Sequence, residues 1–335
     1  MKNSKKIAIT MGDPSGVGPE IILKALNSNE IDKDNLILIG NKDVFIKFAK
    51  KHHINADFNL EFIEVECDLS KLKMGIPTEE SGRSAFLALE KACELANENS
   101  ISAIATAPLS KKAINLAGYC YSGQTEVLKT HIKSLTKHNQ PEMLFVANDF
   151  KVMLLTRHVE LSNLCELITQ DKIINSVLNL NKSLINDFGI ESPKIAICGL
   201  NPHAGEDGLL GREEVEIFIP AIQKLKEIYK INISGPFPGD TIWVNAGRAF
   251  LKQEKLPFDA YISSYHDQGL IPIKLLAMDE CINTTINLPI IRTSPSHGTA
   301  YDIAGKNIAN PQSMIESIKL ANMINSNRGN LLSKK

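Results

Sequence analysis

Residues 6–26, KIAITMGDPSGVGPEIILKAL, fix how the rest of the chain is read. Lys6–Thr10 is a short apolar run with strand character. GDPSGVGPE follows, and then Ile21, Ile22, Ala25 and Leu26 recur at helical spacing. Pro19 suits the first helical turn, where its missing N–H costs nothing. Gly12, Gly16 and Gly18 permit a tight loop with close backbone approach. The spacing is neither GxGxxG nor GxxxxGK followed by Ser or Thr, so both standard nucleotide fingerprints are absent here. On these grounds a ligand-binding loop and a plain structural turn remain equal readings.

Outward from this unit, strand and helix signals alternate. Leu36–Gly40 reads as a strand, Asp43–His52 as a helix and Glu61–Glu66 as a strand. Thr78, with Glu79 and Glu80, opens a helix whose apolar face is Ala85, Leu89, Ala92, Cys93 and Ala96. Ile101–Ala107 is a strand candidate, with Pro108 and Ser110 opening another helix. Such a βαβα order argues for a largely parallel sheet with helices on both faces. Glu142–Asn148 and Lys151–Thr156, separated by Asp149 and Phe150, read as an antiparallel hairpin, so the sheet is mixed. Ser162 is placed to cap the next helix. A long helix over 171–187 precedes a strand at Lys194–Cys198. Ile217, Ile219, Ile222 and Leu225 then mark a helix, and GPFPGDT reads as a Pro/Gly-rich turn. A buried strand ending in Ser264 runs into YHDQGLIPIK, residues 265–274. A strand around Asn283–Leu288 and a terminal amphipathic helix complete the pattern.

At 335 residues the chain is long enough for two domains or two lobes. It is 43% hydrophobic and 22% charged with formal net charge −1, which gives no electrostatic reason to expect nucleic acid or an anionic membrane. Only Ile7, Ala8 and Ile9 follow the basic start before polar residues return. That is too short for a signal-peptide core, and no later apolar run has the length of a membrane span. Six cysteines without CxxC spacing fit reduced thiols and a cytoplasmic setting.

The histidines fall into two groups. His52, His53, His131 and His138 lie in Lys/Asn-rich, helix-like contexts and are expected to be solvated. His158, His203, His266 and His297 each follow an apolar strand signal or sit in the Gly/Pro-rich loop beyond one. Ligands bind at the C-terminal strand ends of open α/β sheets, and three neutral imidazoles meeting there make a catalytic metal site with open positions. A structural role for each histidine is the alternative. Lys274 and Arg292 sit in apolar runs, where a cation needs an anionic partner. A substrate phosphate or carboxylate is one such partner and an internal salt bridge the other. Gln124-Thr125-Glu126 lies at a helix start suited to anions. Asp240 and Asp267, beside these loops, are placed to orient a metal-bound histidine or assist proton transfer.

Two segments resemble the isocitrate and isopropylmalate dehydrogenase superfamily. GDPSGVGPEI is similar to that group's GDGIGPE turn, and HGTAYDIAGKNIANP to its HGSAPDIAGK…NP loop. In that group the latter loop wraps the adenosine end of a nicotinamide cofactor, which accounts for the missing GxGxxG. Taken together, MGDPSGVGPE, GQTE, LNPHAGE, GPFPGDT, YHDQGLIPIK and LPIIRTSPSHGTA resemble the 4-hydroxythreonine-4-phosphate dehydrogenase family of vitamin B6 synthesis. The match runs in order over nearly the whole chain.

The resemblance implies an isocitrate/isopropylmalate dehydrogenase-like α/β fold. It would have two α/β/α lobes, a mixed, largely parallel sheet and a cleft between the lobes. Residues 1–130 and 295–335 would form the NAD-binding lobe, and 131–294 the metal-bearing, dimer-forming lobe. It implies metal ligation by His158, His203 and His266 and substrate contacts from Thr125, Lys274, Asn283 and Arg292, with Gln124 beside them. Cofactor contacts would come from Gly298, Thr299, Asp302 and Asn310. The cofactor would be NAD or NADP. The metal would be divalent, zinc first, with magnesium or cobalt as alternatives, since imidazole favours zinc or cobalt. The expected assembly is a homodimer sharing its active sites and acting on a small phosphorylated amino acid. Where the family reads GHTE this chain has Gln124, which donates a hydrogen bond but carries no charge. That departure keeps a threonate or erythronate 4-phosphate dehydrogenase open as a rival. A phosphate acyltransferase of the same fold is a second rival, but would need neither the histidines nor the HGTAYDIAG loop.

Overall fold

The structure, a computed structural model, describes residues 5–56, 59–133 and 141–332; His138 lies outside them. The chain forms two compact units, Met1–Asn139 with Leu288–Lys335, and Gln140–Asn287.

The first unit opens with β1 (Lys6–Thr10), α1 (Gly18–Leu26), β2 (Leu36–Gly40), α2 (Lys42–His52), β3 (Glu61–Glu64) and α3 (Glu79–Asn97). β4 (Ile101–Thr106), α4 (Lys111–Leu116) and α5 (Gln124–His131) follow. Every residue of β2, and all but the first of β1, is buried, as continuous apolar runs must be when helices cover both faces of a parallel sheet. A capping box starts α3: the Thr78 hydroxyl accepts from the Ser81 N–H, and the Ser81 hydroxyl accepts from the Thr78 N–H. The α3 face of Ala85, Leu89, Ala92 and Cys93 is buried; Ala96 is half-exposed at its margin. Leu89, Ala92 and Cys93 of that face join Ile37, Ile39 and Ile104 in one core.

The second unit contains β5 (Glu142–Ala147), β6 (Phe150–Leu154), α6 (Leu164–Leu167), α7 (Gln170–Asn186), β7 (Ile195–Cys198), α8 (Ile219–Glu227) and β8 (Ile233–Phe237). α9 (Ile242–Leu251), β9 (Ala260–Ser263), α10 (His266–Ala277) and β10 (Ile282–Ile286) complete it. The chain then returns to the first unit with β11 (Ile291–Pro295) and α11 (Gln312–Leu332). Strand order in the first unit is β3-β2-β1-β4-β11, all parallel. In the second it is β10-β5-β6-β9-β7-β8, antiparallel at β10-β5 and β5-β6 and parallel beyond.

Four expectations need correction. Ser162 caps no helix: it sits inside a 3-10 turn, Leu161–Asn163, and α6 begins at Leu164 without a side-chain cap. GPFPGDT is not all turn, because Gly235–Phe237 belong to β8. This strand ends the unit's order, and an edge position tolerates proline. Third, the helix holding Ile217 and Ile219 starts with a wide π turn, Glu214–Phe218. The wider turn changes the helical phase, so Ile222 and Leu225 are buried while Ile219 faces out. Lastly, His52 and His131 are half-buried rather than solvated. The His52 ring lies 4.5 Å from Phe48, and a His131 ring nitrogen is 3.1 Å from the Tyr121 hydroxyl.

Candidate active site

In the second unit, β6, β9 and β7 are adjacent and parallel, and the segments beyond their C-terminal ends carry His158, His266 and His203 in that order. Hydrogen bonds stitch these strand ends together. The Leu155 N–H donates to the Ser263 carbonyl at 2.9 Å, the Thr156 hydroxyl to the Ser264 carbonyl at 2.7 Å, and the Ser264 hydroxyl to the Cys198 carbonyl at 3.1 Å. Gln268, in the first turn of α10, accepts from the Ser264 N–H and donates to the Gly199 carbonyl. The His158 and His266 ring centroids stand 5.5 Å apart. His266 is the first residue of α10, and its Nδ1 lies 2.6 Å from the Asp267 carboxylate. Both rings line a cavity of about 360 Å³ together with Arg157, Glu160, Tyr265 and Asp267.

His203 is set differently. It lies in the turn Pro202–Gly208 after β7, with its side chain 68% exposed and Nδ1 3.8 Å from Glu206. Among the described residues no three His, Cys, Asp or Glu side chains of one chain are grouped to hold a metal. One chain therefore brings together His158 and His266 but not the trio. Lys274 is half-buried on α10, downstream of His266. Asn283 is half-buried on β10, and its buried Oδ1 has no hydrogen-bond partner among the described residues. Asp240 lies exposed in the turn after β8.

In the first unit Arg292 on β11 is only 5% exposed. Its Nη2 donates to Thr106 Oγ1 at 3.2 Å and to Gln124 Oε1 at 3.0 Å. The Gln124 amide in turn donates to the Ala107 carbonyl at 3.0 Å. Gln124 thus uses its acceptor on the guanidinium and its donor on the backbone, which fixes the amide orientation at the head of α5. Burial pushes the Arg292 pKa down to about 10, still above neutrality, so the side chain keeps its charge. Thr125 is half-buried beside Gln124.

The loop holding Gly298, Thr299, Asp302 and Asn310 packs on the opening loop of the same unit. Val17 N–H donates to the Thr299 carbonyl at 3.0 Å, and a Cβ on Gly16 would lie 2.8 Å from that oxygen. The Tyr301 hydroxyl donates to Asp13 Oδ2 at 2.6 Å. Asp13 is fully buried and also accepts from the Ser15 N–H and the Ser81 hydroxyl. Burial raises its pKa, and the Tyr301, Ser15 and Ser81 hydrogen bonds oppose that rise. Neither Asp13 nor Tyr301 stood out in the sequence. The available signal was an acid in a Gly/Pro-rich loop bounded by apolar runs. Ser15 Oγ, Ser296 Oγ and His297 Nε2 are buried without hydrogen-bond partners among the described residues. Gly298, Asp302 and Asn310 are exposed and Thr299 half-buried.

Residues 5–321 match the family described as "Pyridoxal phosphate biosynthetic protein PdxA". The chain belongs to that family. A relative from Oceanobacillus iheyensis named "Putative D-threonate 4-phosphate dehydrogenase" is 42% identical over 95% of this PdxA-family chain and 98% of its own length. A Sulfurihydrogenibium relative named 4-hydroxythreonine-4-phosphate dehydrogenase is 39% identical over 94% of this chain and 97% of its own. The Klebsiella pneumoniae crystal structure of 4-hydroxythreonine-4-phosphate dehydrogenase superposes with TM-score 0.82 at 34% identity, covering 96% of this chain and 98% of that one. The α/β class expected from the sequence is therefore the observed one, and the PdxA-family chain is an oxidoreductase.

Proposed function

We propose that this chain is a metal-dependent, NAD-linked dehydrogenase that oxidises 4-phosphooxy-L-threonine to 2-amino-3-oxo-4-phosphooxybutanoate. That β-keto acid then loses carbon dioxide to give 3-amino-2-oxopropyl phosphate, on the way to pyridoxine 5'-phosphate. The pairing of His158 with His266 at adjacent parallel strand ends carries this reading.

The donor set fits a divalent metal. Contact of His266 Nδ1 with Asp267 is the arrangement that fixes a ligand's tautomer and leaves Nε2 for a cation. His158 is the second ligand. His203 is the third, supplied across a homodimer, since one chain does not group the three. Nitrogen donors favour zinc or cobalt over magnesium. The buried, unpaired Ser15 Oγ, Ser296 Oγ and His297 Nε2 give the two packed loops of the first unit polar atoms to meet a nucleotide. Gly298, Thr299, Asp302 and Asn310 would add its other contacts.

When bound, the cation would supply positive charge for the developing ketone oxygen and the nicotinamide would accept the hydride. This chain's own groups do the rest. In the first unit Arg292, held by Gln124 and Thr106, presents a fixed guanidinium to an anionic group, with Thr125 beside it. In the second, Lys274 and Asn283 contribute a cation and an amide. Asp267 orients His266, and Asp240, exposed in the turn after β8, is the residue proposed to assist proton transfer.

The deciding assay follows NADH formation by the zinc-loaded protein with 4-phosphooxy-L-threonine against D-threonate and D-erythronate 4-phosphates. Turnover with the first compound is expected to dominate. Preference for a threonate would move the assignment to the reaction named for the Oceanobacillus relative, a second reading favoured by that relative and by Gln124. His203→Ala is expected to lose bound zinc and nearly all turnover. Retention of both would remove His203 from the metal site.

A further inference from the structure

The turn that presents His203 is wound the wrong way. His203, Ala204, Gly205, Glu206 and Asp207 all have positive φ, from 43° to 81°, and four of the five carry side chains. In this region the Cβ of a non-glycine residue crowds its own backbone, so each such residue is strained. A run of this kind persists only where its surroundings over-determine it. The surroundings here centre on one carboxylate. Glu214 is 1% exposed and opens the π turn behind the loop. Its Oε1 accepts from the Leu200 N–H at 2.7 Å and the Asn201 N–H at 2.8 Å, and its Oε2 accepts from Asn201 Nδ2 at 2.9 Å. Asn201 Nδ2 also donates to Glu213, and the Asn201 carbonyl accepts from the Ala204 N–H at 3.1 Å. The carboxylate also sets the shape of the loop: a Cβ at Gly205 would lie 2.6 Å from Glu214 Oε2, and one at Gly199 would lie 2.9 Å from Oε1.

We infer that Glu214, acting through Asn201, is a positioning residue that holds the left-handed turn and so presents the His203 imidazole for metal binding. This rests on the reading of His203 as a ligand. A carboxylate suits the task because it only accepts, and every group aimed at it is an N–H donor. A glutamine of the same shape turns one of the two oxygens into a donor facing donors.

The test compares wild type, Glu214→Gln, the double variant Glu214→Gln with Ala204→Gly, and His203→Ala. Zinc affinity is read by competition with a chromophoric chelator, and amide hydrogen exchange is followed over residues 199–211. Glu214→Gln is expected to weaken zinc binding at least tenfold and speed exchange in this segment. The core strands β6, β7 and β9 should stay protected, which also shows that the variant folds. Glycine enters the left-handed region freely, so Ala204→Gly in the Glu214→Gln background should recover part of the affinity. A Glu214 needed only for general stability would show no such rescue. Unchanged affinity and exchange in Glu214→Gln, or no rescue, overturns the inference. Unchanged zinc binding in His203→Ala overturns instead the ligand assignment beneath it.

Discussion

At the scale of single residues, Gln124 and Glu142 yield the clearest consequences. Gln124 offers one acceptor to Arg292 and one donor to the Ala107 carbonyl. A neutral imidazole offers the same pair, so Gln124→His should leave unfolding free energy nearly unchanged. Gln124→Leu strands both buried partners and should cost about 1–3 kcal/mol. Urea denaturation separates the two, and equal losses would show that the amide hydrogen bonds do not matter. Glu142 is buried, with its carboxylate accepting from the Ser176 hydroxyl at 2.8 Å. Burial raises its pKa above 4.5, against the Ser176 hydrogen bond and the charges of Arg157 and Lys172. The folded state therefore holds this proton more tightly than the unfolded state. The group's favourable contribution is present below pH 4.5 and is lost as pH rises through the raised folded value. Glu142→Gln lacks that loss, so its stability relative to wild type should climb between mildly acidic and neutral pH. Parallel pH curves for the two proteins would refute this. The residue types at these positions were legible in the sequence, but their partners were not. Arg292 and Gln124 are 168 positions apart, and no local pattern encodes such a pair.

Among the elements, α3 is limited by its packing. A Cβ on Gly82 would overlap the Ala113 carbonyl of α4, a backbone atom that cannot rotate away. Gly82→Ala should therefore lose about 1–3 kcal/mol despite alanine's better helix propensity. Thermal melts give the sign directly, and a stabilised variant would show that α4 moves aside freely. The start of α3 was readable from Thr78, because capping depends on neighbours within one turn. The π turn before α8 was not. Glu214, which opens it, accepts from the Leu200 and Asn201 N–H groups, long-range contacts that apolar spacing does not encode, and Ile219 faces out. β8 escaped notice for a related reason. Its Gly235 and Pro236 look like turn residues until pairing with β7 is seen.

For the molecule as a whole, Ile271 and Leu275 on α10, with Met278 just past its end, form a stripe exposed in the single chain, Leu275 by 83%. Residues at this spacing share a helix face, and on the proposed reading, in which His203 comes from a second copy, that face is the expected dimer contact. Leu275→Glu should barely change the stability of one chain, yet shift sedimentation from dimer to monomer and abolish zinc-dependent turnover. An unaltered dimer would place the interface elsewhere. Among the described residues no helix is long and apolar enough to cross a membrane. The sequence by itself determined the alternation of strands and helices and the positions of the chemistry-bearing residues at strand ends. Those signals are local: buried parallel strands must be continuously apolar, and loops that turn tightly need glycine and proline. Only the tertiary structure decided which of those residues meet. It pairs His158 with His266, leaves His203 on a left-handed turn behind Glu214, and joins Tyr301 to Asp13 across 288 positions of chain. Such contacts depend on strand order and on buried groups finding partners, and neither is written in any one segment.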